Sequence, residues 1–89
     1  MTPEQDFLEY IIRSLVEFPD AVSTSHRQDD MGILIRLSVD PSDMGKIIGR
    51  DGNMANAIRT IMKAYGYKHR ANISIKVTEP GIKDTFDHA

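Results

Sequence analysis

The sequence predicts an α+β domain of two layers, in which a three-stranded mixed sheet carries three helices on one face. Apolar residues recur at helical spacing in three segments and alternate with polar residues in others. Turn residues separate these segments in the order helix, strand, strand, helix, helix, strand. Two helices between the second and third strands make those strands parallel, and the first strand is expected to pair antiparallel on the other side.

The first helix is predicted over residues 3–17. Thr2 is expected as its N-cap, with Pro3 at the first helical position and Gln5 closing a capping box. Pro19 is expected to end the helix, because proline disfavours helical geometry at the residue before it. The apolar face of this helix comprises Phe7, Leu8, Ile11, Ile12, Leu15 and Val16.

Two strands are predicted next, joined by a turn. Residues 21–27 are rich in Val, Ser and Thr, which favours a thinly apolar edge strand. Residues 28–32 form the turn, with Asp29 and Asp30 as turn residues rather than a catalytic carboxylate pair. In residues 33–39 apolar side chains alternate with others, which predicts a central strand with one face on the core.

Two more helices follow. Asp40 is expected to cap a short helix that starts at Pro41 and stops near Ile48, where Gly49 allows a backbone conformation that other residues resist. The next helix runs from about Gly52 to near residue 66. Its predicted apolar face is Met54, Ile58, Ile61, Met62 and Tyr65.

The last strand is predicted over residues 73–77, where Ile and Val alternate with Ser and Lys. Pro80 and Gly81 follow it and are expected to end the regular structure of the domain. We therefore expect a single domain over residues 1–79 and a flexible C-terminal tail over residues 80–89.

Length and composition fit one soluble globular domain. With 89 residues, of which 40% are hydrophobic, the chain has room for one core and none for a cavity that encloses a large cofactor, so no cofactor is expected. Cysteine is absent, which excludes disulfides and thiolate sites and indicates the cytoplasm. The apolar runs are far shorter than the roughly 20 residues that span a bilayer, so no membrane partner is expected.

An enzyme is not expected. His26, His69 and His88 fall on a strand, a loop and the tail, without metal-ligand spacing. The glycines form neither a Gly-x-Gly-x-x-Gly motif nor a Walker loop, because no Lys-Ser or Lys-Thr pair follows a glycine. The sequence thus offers no candidate catalytic or metal-binding residue.

Charge is distributed unevenly along the chain. Residues 46–76 hold seven basic residues and one acidic residue, a net charge of +6, whereas the rest of the chain carries −8. Such an asymmetry indicates a polyanion-binding region, although solvated helix faces would give the same pattern.

A pair of glycines three residues apart, Gly49 and Gly52, lies between the two predicted helices with Arg50 and Asp51 at its tip. Missing side chains let a phosphodiester backbone approach closely, and amides at the start of the next helix favour an anion. Alone, the pair fits a simple corner between helices equally well. Basic residues around it favour nucleic acid, and the candidate nucleic-acid-binding residues are Lys46, Ile47, Ile48, Gly49, Arg50, Asp51, Gly52, Asn53, Arg59 and Lys63.

With its glycine loop inside a strand-helix-helix-strand unit, the chain resembles the KH domain in its bacterial, type II arrangement. From residue 20 to residue 77 it is similar to the small stand-alone bacterial KH proteins of the KhpA type. The segments that carry the resemblance are Phe18-Pro19-Asp20-Ala21-Val22, Gly45-Lys46-Ile47-Ile48-Gly49-Arg50-Asp51-Gly52 and Ala57-Ile58-Arg59-Thr60.

This resemblance implies a loop that clamps about four nucleotides of single-stranded RNA, with Ile47 and Ile48 beside the groove. It implies a cytoplasmic RNA-binding regulator or chaperone that forms a homodimer, or a heterodimer with a larger Jag-type KH protein. Asp51 and Asn53 stand where relatives often carry basic or uncharged residues, so the expected RNA affinity is modest. The alternative is a dimerising adaptor with weak or no RNA affinity, in which Met54, Met62, Tyr65 and Tyr67 form core or a dimer face.

Overall fold

The computed structural model describes residues 2–78, and the predicted tail lies outside this range. Its helices and strands are α1 (Pro3–Arg13), β1 (Ser23–Asp29), β2 (Gly32–Ser38), α2 (Met44–Ile48), α3 (Asn53–Lys68) and β3 (Ile73–Thr78). Short 3-10 turns cover Pro19–Ala21, Pro41–Asp43 and Arg50–Gly52.

The three strands form one sheet in the order β1-β2-β3. β1 runs antiparallel to β2, with Ser23 opposite Ser38, and β2 runs parallel to β3, with Ile33 opposite Ile73. This order, the strand directions and the α+β fold class are as predicted. β3 is therefore an edge strand, and it is the strand that follows α3 along the chain.

Both predicted helix starts with proline are capped as expected. The N–H of Gln5 donates to the Thr2 hydroxyl at 3.3 Å, and the N–H of Thr2 donates to Oε1 of Gln5 at 3.1 Å. The N–H of Ser42 donates to Oδ1 of Asp40 at 2.9 Å. The latter cap begins a 3-10 turn that leads into α2, rather than one continuous helix from Pro41.

The predicted end of the first helix is wrong. α1 stops at Arg13, not at residue 17. The N–H groups of Glu17 and Phe18 donate to the two carboxylate oxygens of Asp43, at 3.0 and 3.1 Å, instead of to helical carbonyls. Pro19 starts a 3-10 turn well after the helix has ended.

α1 packs on the edge strand β1 through polar side chains. The buried Glu9 accepts a hydrogen bond from the hydroxyl of Thr24 and pairs with Arg13, and Nε2 of Gln5 donates to the same threonine at 3.0 Å. β1 starts two residues later than predicted, at Ser23, because residues 19–21 form the turn. Few apolar residues were expected in this strand, and these polar contacts replace apolar packing.

The core lies between the helices and the inner face of β2 and β3. The predicted alternation in β2 is confirmed, because every second side chain from Ile33 to Val39 is buried. On α3 the buried stripe is rotated from the predicted one, and Met54 and Ile61 are 36% and 42% exposed. The side chains that α3 buries are Ala55, Ile58, Met62 and Gly66.

Candidate nucleic-acid interface

Gly49 ends α2 and begins the loop, with a φ of 75° and an N–H that donates to the carbonyl of Gly45 at 2.8 Å. A Cβ at Gly49 would lie 2.7 Å from Cβ and 2.8 Å from N of Met54, in the first turn of α3. Glycine is thus needed here for two reasons, its positive φ and the close approach of α3.

Gly52 precedes α3 as its N-cap, in the left-handed conformation with a φ of 78°. A Cβ there would meet nothing within 4 Å, so only the backbone conformation favours glycine. No side chain caps α3, and the N–H of Asn53 donates to the carbonyl of Arg50. Among the described residues, no side chain takes the N–H groups that follow in the first turn of this 16-residue helix. They lie at the positive end of the helix dipole, which favours an anion such as a phosphate.

The tip of the loop carries two exposed charges of opposite sign, Arg50 and Asp51. Asp51 has a φ of 56°. Aspartate is one of the few residues other than glycine that adopt this conformation readily. The loop therefore has three positions of positive φ, Gly49, Asp51 and Gly52. Of these, Asp51 brings a negative charge beside the helix end that attracts anions.

The three candidate residues on α2 have different environments. Ile47 is fully buried and belongs to the core, so it supports the loop from beneath instead of offering a contact surface. Ile48 is 41% exposed next to the loop. Lys46 is exposed, and its Nζ lies 4.0 Å from Oε1 of Glu17, a surface pair of little energetic weight.

Arg59 connects α3 to the edge of the sheet. Its Nε donates to the carbonyl of Ile75 at 3.4 Å, and its Nη1 donates to Oδ1 of Asn56 at 3.2 Å. The half-buried guanidinium thus spans from α3 to the outer edge of β3. Asn53, at the start of α3, is exposed beside the loop.

Lys63 lies one turn beyond Arg59, and its surroundings were not predicted from the sequence. It lines a cavity of about 350 Å³ between the end of α3 and the start of β3, together with Tyr67, Arg70 and Asn72. Tyr67, which the sequence placed in the core or a dimer face, is 82% exposed. The sequence signal that could have placed Tyr67 beside Lys63 is the spacing of the side chains, since Arg59, Lys63 and Tyr67 follow each other four residues apart.

Among residues 2–78, no group of three or more His, Asp or Glu side chains is placed to hold a metal ion. In the same range no helix combines the length and the apolar composition that crossing a bilayer requires.

The chain has a Gly-x-x-Gly loop between two helices, and these helices connect the parallel strands β2 and β3. Together with the helix and the antiparallel strand that precede them, this arrangement defines a type II KH domain. Residues 5–77 match the family model described as KhpA/KhpB, KH domain. The chain belongs to this family, as the resemblance of its sequence had implied.

Several curated proteins are similar to the chain over most of its length. The RNA-binding protein KhpA of Clostridium acetobutylicum is 40% identical over 73 residues, which cover 82% of this chain and 97% of that protein. The RNA-binding protein KhpA of Caldanaerobacter subterraneus is 38% identical over 72 residues, with 81% and 96% covered. The RNA-binding protein KhpA of Aquifex aeolicus is 33% identical over 79 residues, with 89% and 100% covered.

Proposed function

We propose that this protein binds single-stranded RNA, as a regulator or chaperone of RNA, and grips the sugar–phosphate backbone at the loop Gly49–Gly52. The observation that carries the proposal is the geometry at the start of α3. No side chain caps this helix, and Gly49 lets the end of α2 lie close against its first turn. The name that the similar proteins carry, RNA-binding protein KhpA, supports RNA as the ligand.

Each part of the loop has a distinct task in this proposal. The N–H groups in the first turn of α3 hold a phosphate, and the open space beside Gly52, where a Cβ would meet nothing within 4 Å, lets the RNA strand approach them. Arg50 and Lys46 add positive charge along the backbone track, and Ile48 offers an apolar surface to a base. Asn53 extends the polar rim at the start of the helix.

Arg59 and Lys63 continue the track along α3. The guanidinium of Arg59 is held between α3 and β3 by its bonds to Ile75 and Asn56, so it is positioned before RNA arrives. Lys63 is exposed one turn further on. The basic residues thus follow the seam between α3 and the edge of β3, away from the loop.

The test is the binding of a labelled single-stranded RNA, measured by fluorescence anisotropy at several salt concentrations. We expect affinity to fall steeply as salt rises, because cations that neutralise phosphates release counterions. Arg50→Asp is expected to weaken binding by roughly tenfold, because it places a second carboxylate at the loop.

The matched control is Arg27→Asp, which makes the same charge change on the face of β1 that points away from the helices. If RNA binding depends only on net charge, both variants lose the same affinity and the loop is not the site. If no single-stranded RNA binds at low salt, the proposed function is wrong.

A second candidate function is that of a dimerising adaptor, which pairs with another copy or with a larger Jag-type KH protein. It is favoured by Met54 and Ile61, two turns apart on α3 and both more than a third exposed. Light scattering would show a mass that rises with concentration, unchanged by Arg50→Asp and lowered by Ile61→Asp. A monomer at all concentrations, with no KH partner retained in a pull-down, would contradict this function.

A further inference from the structure

The cavity at the C-terminal end of α3 is separate from the glycine loop. Its volume of about 350 Å³ lies within the range of small-ligand sites. The side chains and backbone that line it come from the last two turns of α3, the connection and the first residue of β3. They are Lys63, Tyr67, Arg70, Ala71, Asn72 and Ile73.

Tyr67 presents an aromatic ring that the fold does not use. Tyr65, two residues earlier, stacks on Phe7 with ring centroids 5.1 Å apart and packs against the core. Tyr67 lies outside that cluster and is almost fully exposed beside the buried Ile73. An exposed aromatic ring next to an apolar floor is the arrangement on which a nucleobase stacks.

The polar groups of the cavity complement the rest of a nucleotide. Within residues 2–78, neither Lys63 nor Arg70 pairs with a carboxylate, so both cations are available for a phosphate. Nδ2 of Asn72 donates to the carbonyl of Met31 at 2.9 Å, which fixes the side chain. Oδ1 of Asn72 is left as an acceptor that no described residue uses, suited to an amino group on a base edge.

The backbone at Arg70 gives an independent indication. The N–H of Ala71 donates to the carbonyl of Gly66 at 2.8 Å, and that of Arg70 donates to the carbonyl of Tyr67 at 3.3 Å. These two bonds form a Schellman motif, in which the left-handed position usually holds glycine. Arg70 occupies that position with a φ of 56°. A strained arginine where glycine would fit points to a use for its side chain.

The loop and the cavity lie at opposite ends of one track. Arg59, Lys63 and Tyr67 share a face of α3, and the bond from Arg59 to Ile75 shows that this face borders the edge of β3. From Asn53 to Tyr67 the track covers about 21 Å, at 1.5 Å per helical residue.

We propose that this cavity is a second nucleotide-binding subsite, which holds one unpaired nucleotide of the same RNA strand beyond those gripped by the loop. The base stacks on Tyr67, the phosphate lies between Lys63 and Arg70, and Oδ1 of Asn72 accepts a hydrogen bond from the base edge. The inference rests on the proposed function, because the loop must hold the strand first.

The test compares two single-stranded RNAs, about four and about ten nucleotides long, since a KH loop grips about four. Both are titrated into the full chain and followed by anisotropy. Tyr67→Ala is expected to weaken binding of the longer RNA roughly fivefold or more and to leave the shorter RNA unaffected, because one stacked base is lost. Tyr67→Phe keeps the ring and is expected to bind both RNAs as the wild type does.

The outcomes separate this inference from the proposed function. If the shorter RNA binds and Tyr67→Ala binds both RNAs like the wild type, the subsite is refuted while the loop function stands. If neither RNA binds the wild type, both fail. If Tyr67→Ala lowers the mass seen by light scattering and weakens both RNAs equally, Tyr67 belongs to a protein interface and the subsite is refuted.

A free nucleotide would present the same base and phosphate to the cavity as one nucleotide of an RNA strand does. NMR signals of the Asn72 side-chain amide are expected to shift with the longer RNA and not with the shorter one. If adenosine monophosphate alone shifts them at lower concentrations than the longer RNA does, the ligand is a free nucleotide and the assignment to RNA is overturned.

Discussion

At each end of α3 one residue other than glycine adopts the left-handed conformation with a φ of 56°, Asp51 before the helix and Arg70 after it. Asp51 stands between two glycines of positive φ, in a loop whose conformation aspartate tolerates well. Arg70 occupies the glycine position of a Schellman motif, which arginine tolerates less well. The two ends thus share a backbone feature and differ in charge and in strain.

The comparison of Asp51 with Arg70 distinguishes a residue suited to the backbone conformation from a residue suited to binding a ligand. At the loop the backbone requirement comes first, and a residue that meets it also brings an unfavourable charge for RNA. In the proposed subsite the side chain of Arg70 is what RNA binding requires, and the backbone accepts about 1 kcal/mol of strain or more for a residue other than glycine. Glycine in place of Asp51 or Arg70 should therefore raise stability by different amounts, and removal of the two charges should change RNA affinity in opposite directions.

The largest expected effect is that of Gly49→Ala, with Gly52→Ala as its matched control. Alanine at Gly49 must adopt a positive φ and also meets Met54, whereas alanine at Gly52 meets nothing within 4 Å. We expect losses of about 3 kcal/mol and about 1 kcal/mol in the free energy of unfolding, from strain with and without overpacking. Urea unfolding measures both, and equal losses would show that the contact with Met54 relaxes freely.

Arg70→Gly is expected to change stability in the opposite direction. Glycine at the left-handed position removes the strain and should raise the free energy of unfolding by about 1 kcal/mol. Asp51→Gly should gain less, because aspartate already tolerates this conformation. Thermal and urea unfolding of the two variants would decide the comparison. If the gain at Asp51 equals or exceeds the gain at Arg70, arginine is not strained more than aspartate.

The smallest expected effect is that of Asp51→Asn. Asparagine also adopts a positive φ readily, so stability should stay within about 0.5 kcal/mol. Loss of the negative charge at the start of α3 should strengthen RNA binding by roughly two- to threefold at low salt, an advantage that shrinks as salt screens the charge. Unchanged affinity at every salt concentration would mean that the carboxylate lies away from the RNA track.

Local patterns were sufficient for the central strand and for the glycines of the loop. Alternation from Ile33 to Val39 identified the central strand, and the glycine pair marked two of the loop's three positions of positive φ. The end of α1 could not be predicted, because the groups that draw Glu17 and Phe18 out of helical geometry belong to Asp43, 26 and 25 residues away.

The cavity was missed for a similar reason. Tyr67, Asn72 and Ile73 show no motif in sequence, and their assembly depends on a Schellman turn with arginine in place of glycine. The stripe on α3 was misjudged at Met54 and Ile61 because periodicity gives the spacing of an apolar face and not its rotation against the sheet.

The carboxylate of Asp43, 1% exposed, has a further consequence for the rate at which RNA is captured. α2 has only five residues, too few to be stable as an isolated helix. By binding the backbone of residues 17 and 18, Asp43 fastens α2 to the segment after α1, so the loop keeps its shape without a ligand. A preformed loop loses little conformational entropy when it meets RNA, so encounter, and not rearrangement of the protein, should limit the association rate.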